Sequence, residues 1–155
     1  LLAATLIAGS SPALSMRTDS AELPPGEVSA ELQRAEADIA AEQYDRAIRK
    51  LLALIDTNPE TADAYNLLGY SHRKKGVYDR AEGFYDRALR LDPDHRGALE
   101  YLGELYLETD RMADAERMRA RLEAACPGGC VELDQLNAAF TAHATGGQTS
   151  SLPRW

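Results

Sequence analysis

The sequence predicts an all-α protein built as an array of three helix–turn–helix repeats and closed by a C-terminal capping helix. Two observations carry this. The first is a period: Pro59, Pro93 and Pro127 are evenly spaced, as are Ala47, Ala81 and Ala115, and Gly69 maps onto Gly103 and onto the small Ala35. The second is a near-duplication, Tyr44-Asp45-Arg46-Ala47 against Tyr78-Asp79-Arg80-Ala81. A fixed period in the twenty-to-fifty range means a stack of supersecondary units, each burying the face its neighbour exposes.

In the central repeat, 62–95, Leu68 and His72 share one face of a first helix, while Ala81, Tyr85 and Ala88 share one face of a second. Gly69 and Ala81 let the two helices approach closely, and a helical glycine that costs about 1 kcal/mol needs such a reason. Asp92-Pro93 ends the second helix, because the residue before a proline is driven out of the α region. The spacing and these positions resemble the tetratricopeptide repeat. The resemblance implies a right-handed superhelical array whose first helices line a concave groove.

The first repeat, 28–61, has a degenerate first helix, with Glu31 and Arg34 at apolar positions, but Leu32, Ala35 and Ile39 still form a stripe. Its second helix is expected over 44–56, with Ala47, Leu51 and Leu54 in register. The third repeat, 96–129, matches at Leu99, Leu102, Gly103, Tyr106, Ala115 and Leu122, and departs at Arg119, where the pattern asks for an aromatic. Asp110 is expected to N-cap the helix 111–125. A seventh helix, 131–144, is expected to turn Leu133, Leu136 and Phe140 inward and Glu132, Asp134 and Gln135 outward, as a solubilising cap.

Outside the array, residues 1–15 carry an uncharged apolar run and then Ala13-Leu14-Ser15, the pattern of a secretory signal peptide. The run is too short to span a bilayer. Residues 16–27, with Pro24-Pro25-Gly26, read as a linker, and 145–155 as a flexible tail ending in Trp155. Arg and Ala dominate over Lys, which points to a GC-rich bacterial source. The expected location is therefore the periplasm or the outside of the cell, with no membrane insertion after cleavage. A net charge of −8 argues against a nucleic-acid or anionic-membrane partner, since the basic residues include only Lys50, Lys74 and Lys75 as lysines and form no block.

No catalytic constellation is visible and no cofactor is expected, so the sequence does not read as an enzyme. His72 reads as a core residue and His95 as a solvated turn residue. Cys126-Pro127-Gly128-Gly129-Cys130 sits between the last repeat and the cap. Three readings of the pair stay open: a structural disulfide, a redox-active pair, and a metal site with His143 as a third ligand. The Cys-Pro-x-x-Cys spacing is similar to that of Sco-type copper chaperones, which carry it on another fold.

What remains comes from the resemblance. Its groove positions fall on Ser29, Leu32, Glu36, Ile39 and Ala40 in the first repeat. In the second they fall on Asp63, Asn66, Tyr70, Arg73 and Lys74, and in the third on Gly97, Glu100, Glu104, Leu107 and Glu108. The expected function is a protein-interaction adaptor holding a peptide or helix of a partner, with Asn66, Tyr70, Arg73, Lys74, Glu100, Glu104 and Glu108 as the contact set. Glu104 and Glu108 are expected to select a basic ligand and to tolerate replacement by Lys without loss of stability. The alternative is a periplasmic copper or thiol-redox accessory protein. Weak self-association through an incomplete cap is a third possibility. The carboxylate clamp of chaperone-binding relatives is absent: its positions hold Leu32, Glu36, Leu67, Gly97 and Tyr101, which speaks against capture of an acidic tail.

Overall fold

A computed structural model describes residues 22–146. It contains seven helices: α1 (Pro25–Ala40), α2 (Tyr44–Thr57), α3 (Ala62–Lys74), α4 (Tyr78–Leu91), α5 (Arg96–Glu108), α6 (Met112–Ala125) and α7 (Val131–Ala144). They form three antiparallel pairs, each packed on the next, and α7 lies against α5 and α6. The architecture is the helical repeat array expected. The apolar run at residues 1–15, its cleavage motif and the tail after Gly146 lie outside the described residues.

The period is written into the backbone. Within each pair the first helix ends in a Schellman-type turn, the amide of Gln43, Val77 or Arg111 donating to the carbonyl of Asp38, His72 or Tyr106 at 2.8, 2.9 and 2.7 Å. That turn needs a left-handed residue, found at Glu42 (φ 57°), Gly76 (φ 74°) and Asp110 (φ 55°). Only the middle repeat supplies the glycine that such a conformation favours. Asp110 is thus the left-handed turn residue and not the N-cap, a position that falls to Arg111 without a side-chain cap bond. Between pairs, the amides of Asn58, Asp92 and Cys126 donate to Leu54, Ala88 and Leu122, and each proline follows directly.

The core follows the same positions. Ala35, Ala47, Ala64, Ala81, Ala98 and Ala115 are fully buried where helices approach, among Leu51, Leu68, Leu99, Leu102, Tyr85 and Leu122. Gly69 is a contact point: a Cβ there would stand 2.6 Å from the Tyr85 ring. At the corresponding Gly103 the intruder is different. The tyrosine equivalent is Arg119, which lies over the Phe140 ring at 4.4 Å, and Leu136 of α7 fills the notch, 2.8 Å from where a Cβ would be.

One boundary and one helix orientation differ from expectation. Pro25-Gly26 opens α1 and does not belong to a linker, because a proline fits the first turn, where its missing N–H has no helical partner. The preceding Leu23 is tied to the first repeat, its N–H and C=O both bonded to the Asn58 side chain at 3.1 and 3.0 Å. The α7 helix is also rolled relative to its apolar pattern. Leu136 and Ala139 face the core, Leu133 and Phe140 flank it, and Glu132 and Gln135 turn toward the inner face of α5.

Candidate partner-binding groove

The inner faces of α1, α3, α5 and α7 enclose a polar cavity of about 180 Å³. Its walls are Glu36 from α1, Asp63, Asn66 and Leu67 from α3, Gly97, Glu100 and Tyr101 from α5, and Val131, Glu132 and Gln135 from α7, with His95 at the edge. Four carboxylates face one imidazole. Burial and the neighbouring Asp63 raise the Glu36 carboxyl above its ordinary value. Asp63 is lowered by its hydrogen bond with His95, whose Nε2 lies 3.0 Å from Oδ1. His95 also N-caps α5, its Nδ1 accepting from the Ala98 amide at 3.2 Å. It is therefore a bridge between consecutive repeats and not the solvated turn residue expected. With its amide nitrogen turned toward Glu100, Gln135 donates to Oε1 at 2.7 Å.

The expected contact set divides. Asn66 and Glu100 line this cavity. Lys74 is exposed, with Nζ 6.0 Å over the Tyr70 ring, and Tyr70 itself is 1% exposed beneath it, packed on Tyr101 at 5.0 Å. Arg73, Glu104 and Glu108 form an ion cluster instead of three independent groups. Arg73 Nη2 lies 2.6 Å from Glu104 and 2.8 Å from Glu108, with Nε adding bonds of 3.2 Å to both Glu108 oxygens. Arg73 is 4% and Glu104 1% exposed. Burial alone would lower the guanidinium pKa, but the carboxylates outweigh it and keep Arg73 charged.

This corrects the expectation that Glu104 and Glu108 could be replaced by Lys without loss of stability. A second cation at Glu104 would face Arg73 in the interior. Of the other groove positions, Ile39 and Leu107 are core residues at 1% exposure.

Cys126 and Cys130 are joined by a disulfide, their Cα atoms 6.0 Å apart. His143 is not with them. It lies thirteen residues along α7 from Cys130, about 20 Å at 1.5 Å per residue, and its Nε2 faces Asp110 at 3.8 Å. One metal ion cannot bridge that gap, so the proposed set of Cys126, Cys130 and His143 does not form. Among the described residues no group of three or more His, Cys, Asp or Glu side chains is placed to hold a metal. His72 is the core residue expected, stacked on Phe84 at 5.3 Å, and burial pushes its pKa down.

Sequence reasoning missed His95, Glu132 and Gln135. Spacing offered a signal for the first: Asp63 and His95 are nearly one repeat apart, as are Arg73 and Glu108. No such signal existed for α7, which lies outside the period.

Two profiles of the tetratricopeptide repeat match residues 32–95 and 72–128, and the chain belongs to that family. Together the matched stretches run through all three helix pairs. The chain is 33% identical over 67 residues to the uncharacterized protein ycf37 of Pyropia yezoensis, covering 43% of this chain and 38% of that protein. It is 34% identical over 90 residues to the cellulose synthase operon protein C of Pseudomonas fluorescens, covering 55% of this chain and 7% of that protein. The chain thus spans less than half the length of these relatives.

Similar solved structures include the first TPR of Spaghetti (RPAP3) bound to the HSP90 peptide SRMEEVD, with a TM-score of 0.67, 15% identity, and coverage of 79% of this chain and 98% of that one. The type III secretion translocator chaperone SycD of Yersinia enterocolitica aligns with a TM-score of 0.68 and 16% identity over 79% of this chain and 92% of its own. At such identities the likeness establishes the fold.

Proposed function

We propose that this chain is a non-catalytic interaction module that holds a peptide segment or helix of a partner protein against its concave face. The observation that carries the reading is the cavity between α1, α3, α5 and α7, lined by polar side chains from four stacked helices. A preformed site of this kind binds with little ordering cost. The family fold supports it, as does the peptide carried by the RPAP3 domain.

The module is exported, most simply to a bacterial periplasm. The Cys126–Cys130 disulfide supports this, since such bonds persist in oxidising compartments, and the apolar run at residues 1–15 is a further support.

Site-specific photocrosslinking tests the groove. A crosslinker at Glu132 or Gln135 should capture a partner that one at Arg87, on the outer face of α4, does not. Capture from Arg87 alone would overturn the reading.

A further inference from the structure

We propose that the cavity between α1, α3, α5 and α7 is a cation pocket that takes the side chain of an arginine or lysine from the partner segment. The inference rests on the groove reading above and specifies its ligand. Charge is the first argument: Glu36, Asp63, Glu100 and Glu132 line the cavity against the single imidazole of His95. The second is independent of charge. Asn66, 7% exposed and on the cavity wall, has an Oδ1 without a hydrogen-bond partner among the described residues. A buried acceptor in that state is completed by a donor, and arginine and lysine bring five and three donors respectively with no acceptor of their own.

The size also fits. About 180 Å³ is the share of roughly six waters, room for a guanidinium and the end of its stem but not for a bulky aromatic with its shell. The carboxylates are dispersed around the wall, with Asp63 engaged by His95 and Glu100 by Gln135. That arrangement suits a spread organic cation and not a metal ion, which requires converging ligands. The remaining wall, Leu67, Gly97 and Tyr101, carries no cation that would compete with an incoming one.

The test uses the whole chain, isotopically labelled, titrated by NMR with an acetylated and amidated Ala-Ala-Arg-Ala-Ala peptide, its citrulline counterpart and spermidine. The arginine peptide should shift the side-chain amide of Asn66 and bind at least about tenfold more tightly than citrulline, which keeps the shape and loses the charge. Glu36→Gln and Glu132→Gln should each weaken it about fivefold, and Asp56→Asn on the outer surface of α2 should not. Equal affinity for arginine and citrulline with shifts on α3 and α5 would overturn the cation pocket while leaving the groove in place. No shift at Asn66 with any probe would overturn the pocket too, and the crosslinking result would then decide the groove separately. Spermidine binding as tightly as the peptide would make this a polyamine site and overturn the assignment to a partner's side chain.

Discussion

Replacing Arg73 with alanine removes the cation shared by Glu104 and Glu108. The guanidinium makes bonds of 2.6 and 2.8 Å to the two carboxylates and is 4% exposed, so screening by water is weak. Breaking a buried ion pair by deleting one partner costs about 3–5 kcal/mol, because the other charge stays behind in the interior. For a folded unit of this size each kcal/mol moves the melting temperature by about 4 °C, so a drop of about 12–20 °C is expected. Most of the cost is the stranded carboxylate and not lost attraction. Arg73→Met combined with Glu104→Leu should therefore recover the larger part of it. Thermal and urea unfolding followed by circular dichroism, without reductant, would show both effects. A single Arg73→Ala variant within 1 kcal/mol of wild type would refute the argument, and so would a double variant no better than the single.

Four further outcomes follow from the geometry. Glu42→Gly should stabilise by about 1 kcal/mol, since Glu42 holds the left-handed conformation that Gly76 holds one repeat later; urea midpoints would read it. Gly69→Ala should destabilise by about 1–3 kcal/mol despite the better helix former, because its Cβ meets the buried Tyr85 ring. Reducing Cys126–Cys130 should cost about 2 kcal/mol, the chain-entropy value for so short a loop, measured as the difference between unfolding with and without reductant. His72, lowered by burial and by Arg80 and Lys75 against the opposing pull of Asp45, is held neutral in the fold. The unfolded chain therefore binds the extra proton, and stability should fall as pH drops below about 6.5 toward the depressed folded value. A His72→Phe variant should flatten that part of the profile between pH 7.5 and 5.5.

The backbone was legible because a repeat constrains small residues and breakers most tightly. The alanines, Gly69 and Gly103 and the prolines mark places where helices touch or stop, and each is fixed by sterics alone. The polar site was less so. Whether Glu104 is a ligand-selecting charge or half of an ion pair depends on Arg73, one repeat away, and on how far the two first helices slide past each other. The roll of α7 was illegible for a related reason. Leu133, Leu136 and Phe140 make a fair stripe, but the deepest socket available is the notch over Gly103, and Leu136 entering it turns Glu132 and Gln135 toward the groove.

That socket bears on how the array comes apart. In the middle repeat the glycine notch is plugged from within, by Tyr85 of the same pair, so α3 and α4 are closed against each other without help. In the last repeat the plug belongs to α7. Releasing α7 would uncover α5 at its closest contact, so α5, α6 and α7 should open as a single cooperative unit, with amide protons exchanging together, while α3 and α4 hold out longer. Because α7 also supplies Glu132 and Gln135 to the groove, the same opening would dismantle one wall of the binding site before the rest of the stack had loosened.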